Sequence, residues 1–203
     1  MAVNKGAVAK TFKTSDFAKL RNEAAKAVSG SWILYVDADE VVSPILATHI
    51  TESISSNNFA GYELYRKNYY LGKLWPTGEW KLRLFRKVAF KKWFGALHES
   101  PVVVGEIGRI DGDLLHDTHR TLAEMVAKTN EWSETEARLR QEAKHPPITW
   151  WRILRVIFTA FWDSYIKQGG WRVGTAGIIE SIYKGFSMFV TYAKLWELQQ
   201  KRS

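Results

Sequence analysis

The stretch SWILYVDADE, residues 31–40, constrains the fold more than any other part of the chain. Five uncharged residues, Trp32 to Val36, run directly into Asp37, Asp39 and Glu40. A short run rich in aromatic and branched side chains reads as a buried strand. Three clustered carboxylates repel one another, so that strand must end either in water or against cations. Residues 16–28 carry helix formers with Phe17, Leu20, Ala24, Ala27 and Val28 on about one face, and Gly30 suits the exit. Ser43-Pro44 predicts a second helix start, running to about Ser55, because Ser caps well and Pro is tolerated in the first turn. Helix, apolar strand, acidic loop and helix make an α/β unit, whose ligands bind beyond the carboxyl ends of the strands. The acids stand at that end.

Residues 59–104 form short aromatic and β-branched runs, which predict antiparallel strands beside this unit. Helical spacing returns from Thr121 to about Ala143, and Pro146-Pro147 marks a boundary. The expected organisation is therefore an α/β domain over 1–145 and a helical region over 146–203. Two amphipathic segments in that region meet at Gly169-Gly170. In the first, Arg152, Arg155, Asp163 and Lys167 oppose Trp151, Leu154, Ile157, Phe158, Phe161 and Tyr165. In the second, Glu180, Lys184, Ser187, Thr191 and Lys194 form a polar stripe against Ile178, Ile179, Ile182, Phe186, Phe189 and Val190.

Neither segment offers the roughly twenty uncharged residues of a spanning helix. Residues 144–172 carry Lys144, Arg152, Arg155, Lys167 and Arg172 against Asp163 alone, interleaved with Trp150, Trp151, Trp162 and Trp171. Basic charge with Trp suits an anionic membrane surface; plain packing of the two helices on the rest of the chain is the other reading. The whole chain of 203 residues has a formal net charge of +8, which attracts anionic partners without choosing among them. No nucleic-acid-binding signature accompanies it. With no Cys, disulfides and thiolate metal sites are excluded. The N-terminal MAVNKGAVAKTFK lacks the apolar core of a signal peptide.

On an extended backbone, Asp37 and Asp39 share one side and Glu40 faces the other. Two hard oxygen donors facing one space suit Mg²⁺ or Mn²⁺ bridged to a diphosphate. A solvated turn that caps the following helix is an equally simple account of the same residues.

RNEAAKAVSGSWILYVDADEVVSPIL resembles the family 2 glycosyltransferases of the GT-A fold, in particular the bacterial branch related to lipopolysaccharide core β-glucosyltransferases. Further pieces agree: Arg66 and Gly72 in YRKNYYLGK, Arg83-Leu84-Phe85 in KLRLFRK, His98-Glu99 in ALHES and His116 in LLHDTHR. The resemblance spans about residues 16–140. It implies a partial GT-A, Rossmann-like α/β nucleotide-sugar domain with antiparallel strands, followed by the amphipathic helices. Asp37 and Asp39 would then mark the metal and donor diphosphate, with His116 as a further ligand; a lone His also serves structural roles. Glu99 would be the catalytic base of an inverting transfer, oriented by His98, the alternative being a simple ion pair of Glu99 with Arg83 or Arg86. Arg21, Asn22 and Arg83 would line the donor side. Trp75, Trp80 and Trp93 fit sugar stacking or packing.

The expected partners are a nucleotide-sugar donor, taken as a UDP-sugar, and a lipid-linked or lipopolysaccharide-core acceptor. The expected location is the cytoplasmic face of a bacterial inner membrane. The family normally opens with a βαβ portion upstream of the Arg-Asn helix, so the chain reads as an N-terminally shortened member. Two other functions compete. One is a degenerate, membrane-associated scaffold without catalysis. The other is a haloacid-dehalogenase-type phosphohydrolase, with Asp37 as nucleophile and Asp113 and Asp117 as its later acids; GRIDGDLLHD offers that reading no apolar strand.

Overall fold

The computed structural model describes residue 11 and residues 16–56, 58–95 and 99–201. Its first helix, α1 (Phe17–Ala27), is capped by Asp16, whose side chain accepts from the Lys19 amide at 3.0 Å. Strand β1 (Trp32–Leu34) is shorter than the expected 32–36. Beyond it the chain turns, with the Glu40 amide bonded to the Asp37 carbonyl at 3.0 Å, and enters β2 (Glu40–Val42). Helix α2 (Pro44–Ser56) starts where Ser43-Pro44 predicts, with Ser43 Oγ accepting from the Leu46 amide.

The strands β3 (Gly61–Tyr70), β4 (Lys73–Leu74), β5 (Glu79–Arg86), β6 (Phe90–Phe94) and β7 (Ser100–Val103) follow. The β3–β5 and β6–β7 pairs are antiparallel, as the aromatic runs predict. The strand β8 (Ile107–Asp117) was not expected, yet it lies inside the sheet, parallel to the middle strand β3. Its sequence hides it, because Gly and acidic residues interrupt the apolar alternation that marks a strand. At Gly112, with φ +119, a Cβ would meet Leu46 Cα at 2.8 Å. The bare backbone there lets α2 press onto β8.

The sheet order is β1-β5-β3-β8-β2, with β4 added to β3. β1 and β2 are therefore opposite edges, although only Tyr35 to Asp39 link them, and the link contains a turn. A flat sheet would set them about 19 Å apart, from an inter-strand spacing of about 4.8 Å. So short a connection curls the sheet and draws the acidic turn across it.

Leu84 and Phe85 are adjacent on β5 and so face opposite sides. Leu84 packs with Leu46, Ile50, Tyr62, Leu64, Ile110 and Leu114 under α2. Phe85 packs with Ala18, Ala25, Ile33 and Trp93 under α1 and β6. The helix α3 (Leu122–Glu142) is capped by Thr121. It joins α4 (Trp150–Trp162) and α5 (Thr175–Gln200) around Ala137, Ile148, Val156, Tyr192 and Leu195, a cluster that crosses residue 145. The first amphipathic segment does not stay α-helical to Lys167: residues 163–167 form a π-helical turn before Gly169 takes a left-handed conformation.

Candidate functional site

The acidic turn ends against cations. Asp37 Oδ1 accepts from Arg21 Nη2 at 2.6 Å, and its Oδ2 accepts from Arg83 Nη2 at 2.7 Å. Glu40 has no exposed side-chain area; its Oε1 accepts from Arg83 at 2.9 Å and Arg66 at 3.2 Å, while its Oε2 accepts from the Asp37 amide at 2.9 Å. The turn thus brings Glu40 onto the same arginine as Asp37, where an extended backbone would have set Glu40 opposite. Asp39 goes elsewhere: its Oδ2 lies 3.4 Å from His116 Nε2 on β8. One loop therefore grips β5 through Arg83, β3 through Arg66 and β8 through His116.

The electrostatics follow from this arrangement. Burial pushes the Asp37 carboxyl up, but Arg83 and Arg21 outweigh it and hold it below the usual range. Glu79, also desolvated, is brought down to about 2 by Lys81 and by Arg66. Burial, then the nearby Arg66, lowers His116 against the pull of Asp39. Its Nδ1 lies 2.8 Å from Asn68 Oδ1, so the amide oxygen takes the Nδ1 hydrogen. His116 Nε2 faces the Asp39 carboxylate.

Among the described residues, no group of three His, Cys, Asp or Glu side chains gathers to hold a metal ion. Asp39 and His116 form a two-donor pair, whereas both Asp37 oxygens are covered by guanidinium groups. Such a pair fits a cation that takes its remaining ligands from phosphate and water.

The other expected site residues fall as follows. Arg21 also stacks on Trp93, 4.8 Å from the ring centroid. Asn22 spends its amide on Trp93, accepting from its amide at 2.8 Å and donating to its carbonyl at 3.0 Å, so it fastens β6 to α1. Arg83 is buried beneath the turn. Glu99, half-buried at the start of β7, has no hydrogen-bond or ion-pair partner among the described residues, and Arg83 is committed to Asp37 and Glu40. His98 lies outside the described residues. Trp75 and Trp93 are buried packing residues, and Arg109 covers Trp80 at 4.7 Å.

Sequence reasoning missed two contributors. Asn68, on the long strand β3, lies 2.8 Å from His116 Nδ1 and fixes the ring's orientation. Glu180, fully buried on α5, accepts from His119 Nδ1 at 3.0 Å and pairs with Lys184 at 3.2 Å. Only the pairing of an acid with a cation one helical turn later, Glu180 with Lys184, was visible in the chain. A cavity of about 590 Å³, lined by Asn68, Tyr70, Trp75, Glu79, Asp163 and Lys184 among others, lies between the sheet and the C-terminal helices.

The acids of the phosphohydrolase reading carry ion pairs of their own. The strand β8 does supply the element that its sequence seemed to lack. However, Asp113 pairs with Lys67, Asp117 pairs with Arg120, and β1 is an antiparallel edge strand. Asp117 does stand beside the acidic turn, its amide bonded to the Asp39 carbonyl at 3.0 Å.

No protein-family model matches the chain. It is 27% identical over 191 residues to the lipopolysaccharide core biosynthesis glycosyltransferase LpsC of Rhizobium meliloti (strain 1021), an alignment covering 89% of this chain and 69% of that protein. The alignment takes in the acidic turn and nearly the whole fold around it, and it supports a relationship between this chain and that glycosyltransferase.

Proposed function

We propose that the chain transfers a sugar, with inversion, from a nucleotide sugar to a lipid-linked or lipopolysaccharide-core acceptor, as a GT-A glycosyltransferase of family 2. The observation that carries this reading is the Asp39–His116 pair on a turn locked by three arginines. A divalent cation, Mg²⁺ or Mn²⁺, would be held by Asp39 and His116 together with the donor diphosphate, where it supplies charge stabilisation for the departing nucleoside diphosphate. Asp37 acts one step back, holding Arg21 and Arg83 so that the turn keeps its shape. The cavity beside Asn68 supports an acceptor placed between the sheet and α5. In the transfer, the acceptor hydroxyl oxygen bonds to the anomeric carbon, its proton passes to Glu99, and the anomeric C–O bond breaks with its electron pair leaving on the diphosphate. Glu99 suits this role because its carboxylate is uncommitted.

Isothermal titration with a panel of UDP-sugars, with and without Mn²⁺, tests the reading. Binding that requires Mn²⁺ and is lost in Asp39→Ala and in His116→Ala is expected. The absence of donor binding by the parent chain would overturn the reading in favour of a non-catalytic scaffold.

A further inference from the structure

The α4–α5 hairpin presents its faces the opposite way from an ordinary surface helix pair. Its antiparallel course is set by contacts from end to end. Ile148 N donates to Gln199 Oε1 at 2.9 Å, Ser164 Oγ lies 3.0 Å from Ser181 Oγ, and a Cβ on Gly185 would meet Ile157 Cγ2 at 3.2 Å. On α5 the polar stripe turns inward: Glu180 and Thr191 are buried, with Ser181 beside them, and Lys184 and Ser187 line the cavity. The outward stripe is Ile179, Ile182, Phe186, Phe189 and Trp196, each at least 40% exposed. On α4, Trp151, Leu154, Phe158 and Trp162 are likewise exposed, Phe158 by 62%.

The two outward stripes belong to one surface. In an antiparallel pair, successive residues run round the two helices in opposite senses when both are viewed from the same end. From the shared contact line through Ile157 and Gly185, the exposed stripes of both helices therefore lie toward the same side. An apolar face this continuous needs an occupant. The charges around it select one. Arg152, Arg155 and Arg172 stand beside this face, while Lys167 pairs with Asp163 at 2.6 Å and Lys184 turns inward onto the sealed Glu180. Arg152 and Arg155 lie over Trp151 at 4.9 and 5.7 Å, and Arg172 over Trp171 at 5.0 Å. A second copy docked on this face would meet a basic rim with a basic rim. Anionic headgroups supply the missing counter-charge, and indole rings favour the level where acyl chains meet headgroups. Among the described residues no helix is long and apolar enough to cross a membrane, so this face would lie on the bilayer.

We infer that the outer face of the α4–α5 hairpin docks on the surface of an anionic bilayer, with the inner face of the same hairpin roofing the cavity. A lipid-borne molecule then reaches the cavity from the plane in which the hairpin rests. Docking itself does not depend on the transfer reaction, and its test uses no sugar donor.

The test is co-sedimentation of the full chain with vesicles of phosphatidylcholine alone or with one quarter phosphatidylglycerol. The parent is expected to bind the anionic vesicles and to release in high salt. Leu154→Glu combined with Phe186→Glu, both at exposed positions, should abolish binding while leaving the thermal midpoint unchanged. Arg152→Gln with Arg155→Gln, which leaves the apolar face intact, should weaken binding roughly tenfold or more. Undiminished binding by the Leu154/Phe186 variant overturns the inference. So does a parent chain that ignores anionic vesicles but forms a dimer, in sedimentation equilibrium, that the Leu154/Phe186 substitutions dissolve; the face would then belong to a second copy.

Discussion

Arg83 donates to Glu40 at 2.9 Å where neither side chain has more than 7% of its area exposed. The same Nη2 also reaches Asp37, so this guanidinium is the common counter-charge of the turn. Removing one side of a buried pair strands the other, which costs several kcal/mol, while replacing both sides by apolar groups of similar size does not.

Arg83→Met is therefore expected to destabilise the fold by about 3 kcal/mol. For a chain of this size that lowers the thermal midpoint by roughly 2–4 °C per kcal/mol. The double variant Arg83→Met/Glu40→Leu should recover a substantial part of that loss. Thermal unfolding followed by tryptophan fluorescence checks both, and equal destabilisation by the single and double variants would refute the shared-charge account.

Asp37 and Asp39 should separate cleanly on substitution. Asp37→Asn loosens the grip on Arg21 and Arg83 and should lower the thermal midpoint in the absence of any ligand. Asp39→Asn should leave that midpoint nearly unchanged and instead remove the Mn²⁺ dependence of donor binding. Paired melting and titration experiments read the two effects, and a reversed assignment would show that Asp37 is the direct ligand.

Acid should open this half of the molecule first. Glu79 titrates at about 2 in the folded chain against about 4.5 unfolded, and Asp37 is likewise lowered. A lowered carboxylate contributes stability that is complete above its unfolded value and fades as pH falls toward the folded one. Stability should therefore decline from about pH 4.5 down to about pH 2. Glu79 is 40% exposed, so its share is small after screening. Chemical denaturation at stepped pH measures the slope, which should flatten in Asp37→Asn.

Glu99→Gln should keep donor binding and lower turnover by about 10²–10⁴, the usual contribution of a general base. Stopped assays of product formation alongside donor titration distinguish the two readouts. Full activity in this variant would remove Glu99 from the base role.

Glu180→Leu leaves His119 and Lys184 without their shared carboxylate and should detach α5 from the sheet. A lowered thermal midpoint and faster amide hydrogen exchange in residues 175–190 are the expected signs. Exchange unchanged from the parent would mean that apolar packing alone holds the hairpin.

How much of this was legible in the chain depended on how local each cause was. The starts of α1, α2 and α3 are written in single capping residues, Asp16, Ser43 and Thr121, whose side chains bond within three positions of themselves. The antiparallel pairs β3–β5 and β6–β7 announced themselves through aromatic and branched runs, and the mixed α/β architecture with C-terminal helices followed. The destinations of the acids did not. Asp37 and Glu40 are held by an arginine more than forty positions away, and a two-residue side-chain period holds only while the backbone stays extended; the turn at Asp37 ends that. β8 escaped notice because Asp111 and Gly112 form an irregularity that β3 skips, between the pairs Leu64–Ile110 and Tyr65–Asp113, and α2 presses on Gly112 there, circumstances that exist only once β3 and α2 are in place. The same holds for α5. Its two faces were readable from the residue pattern, but which face turned inward depends on His119 and Lys184, which give the buried Glu180 carboxylate the partners that water would otherwise supply.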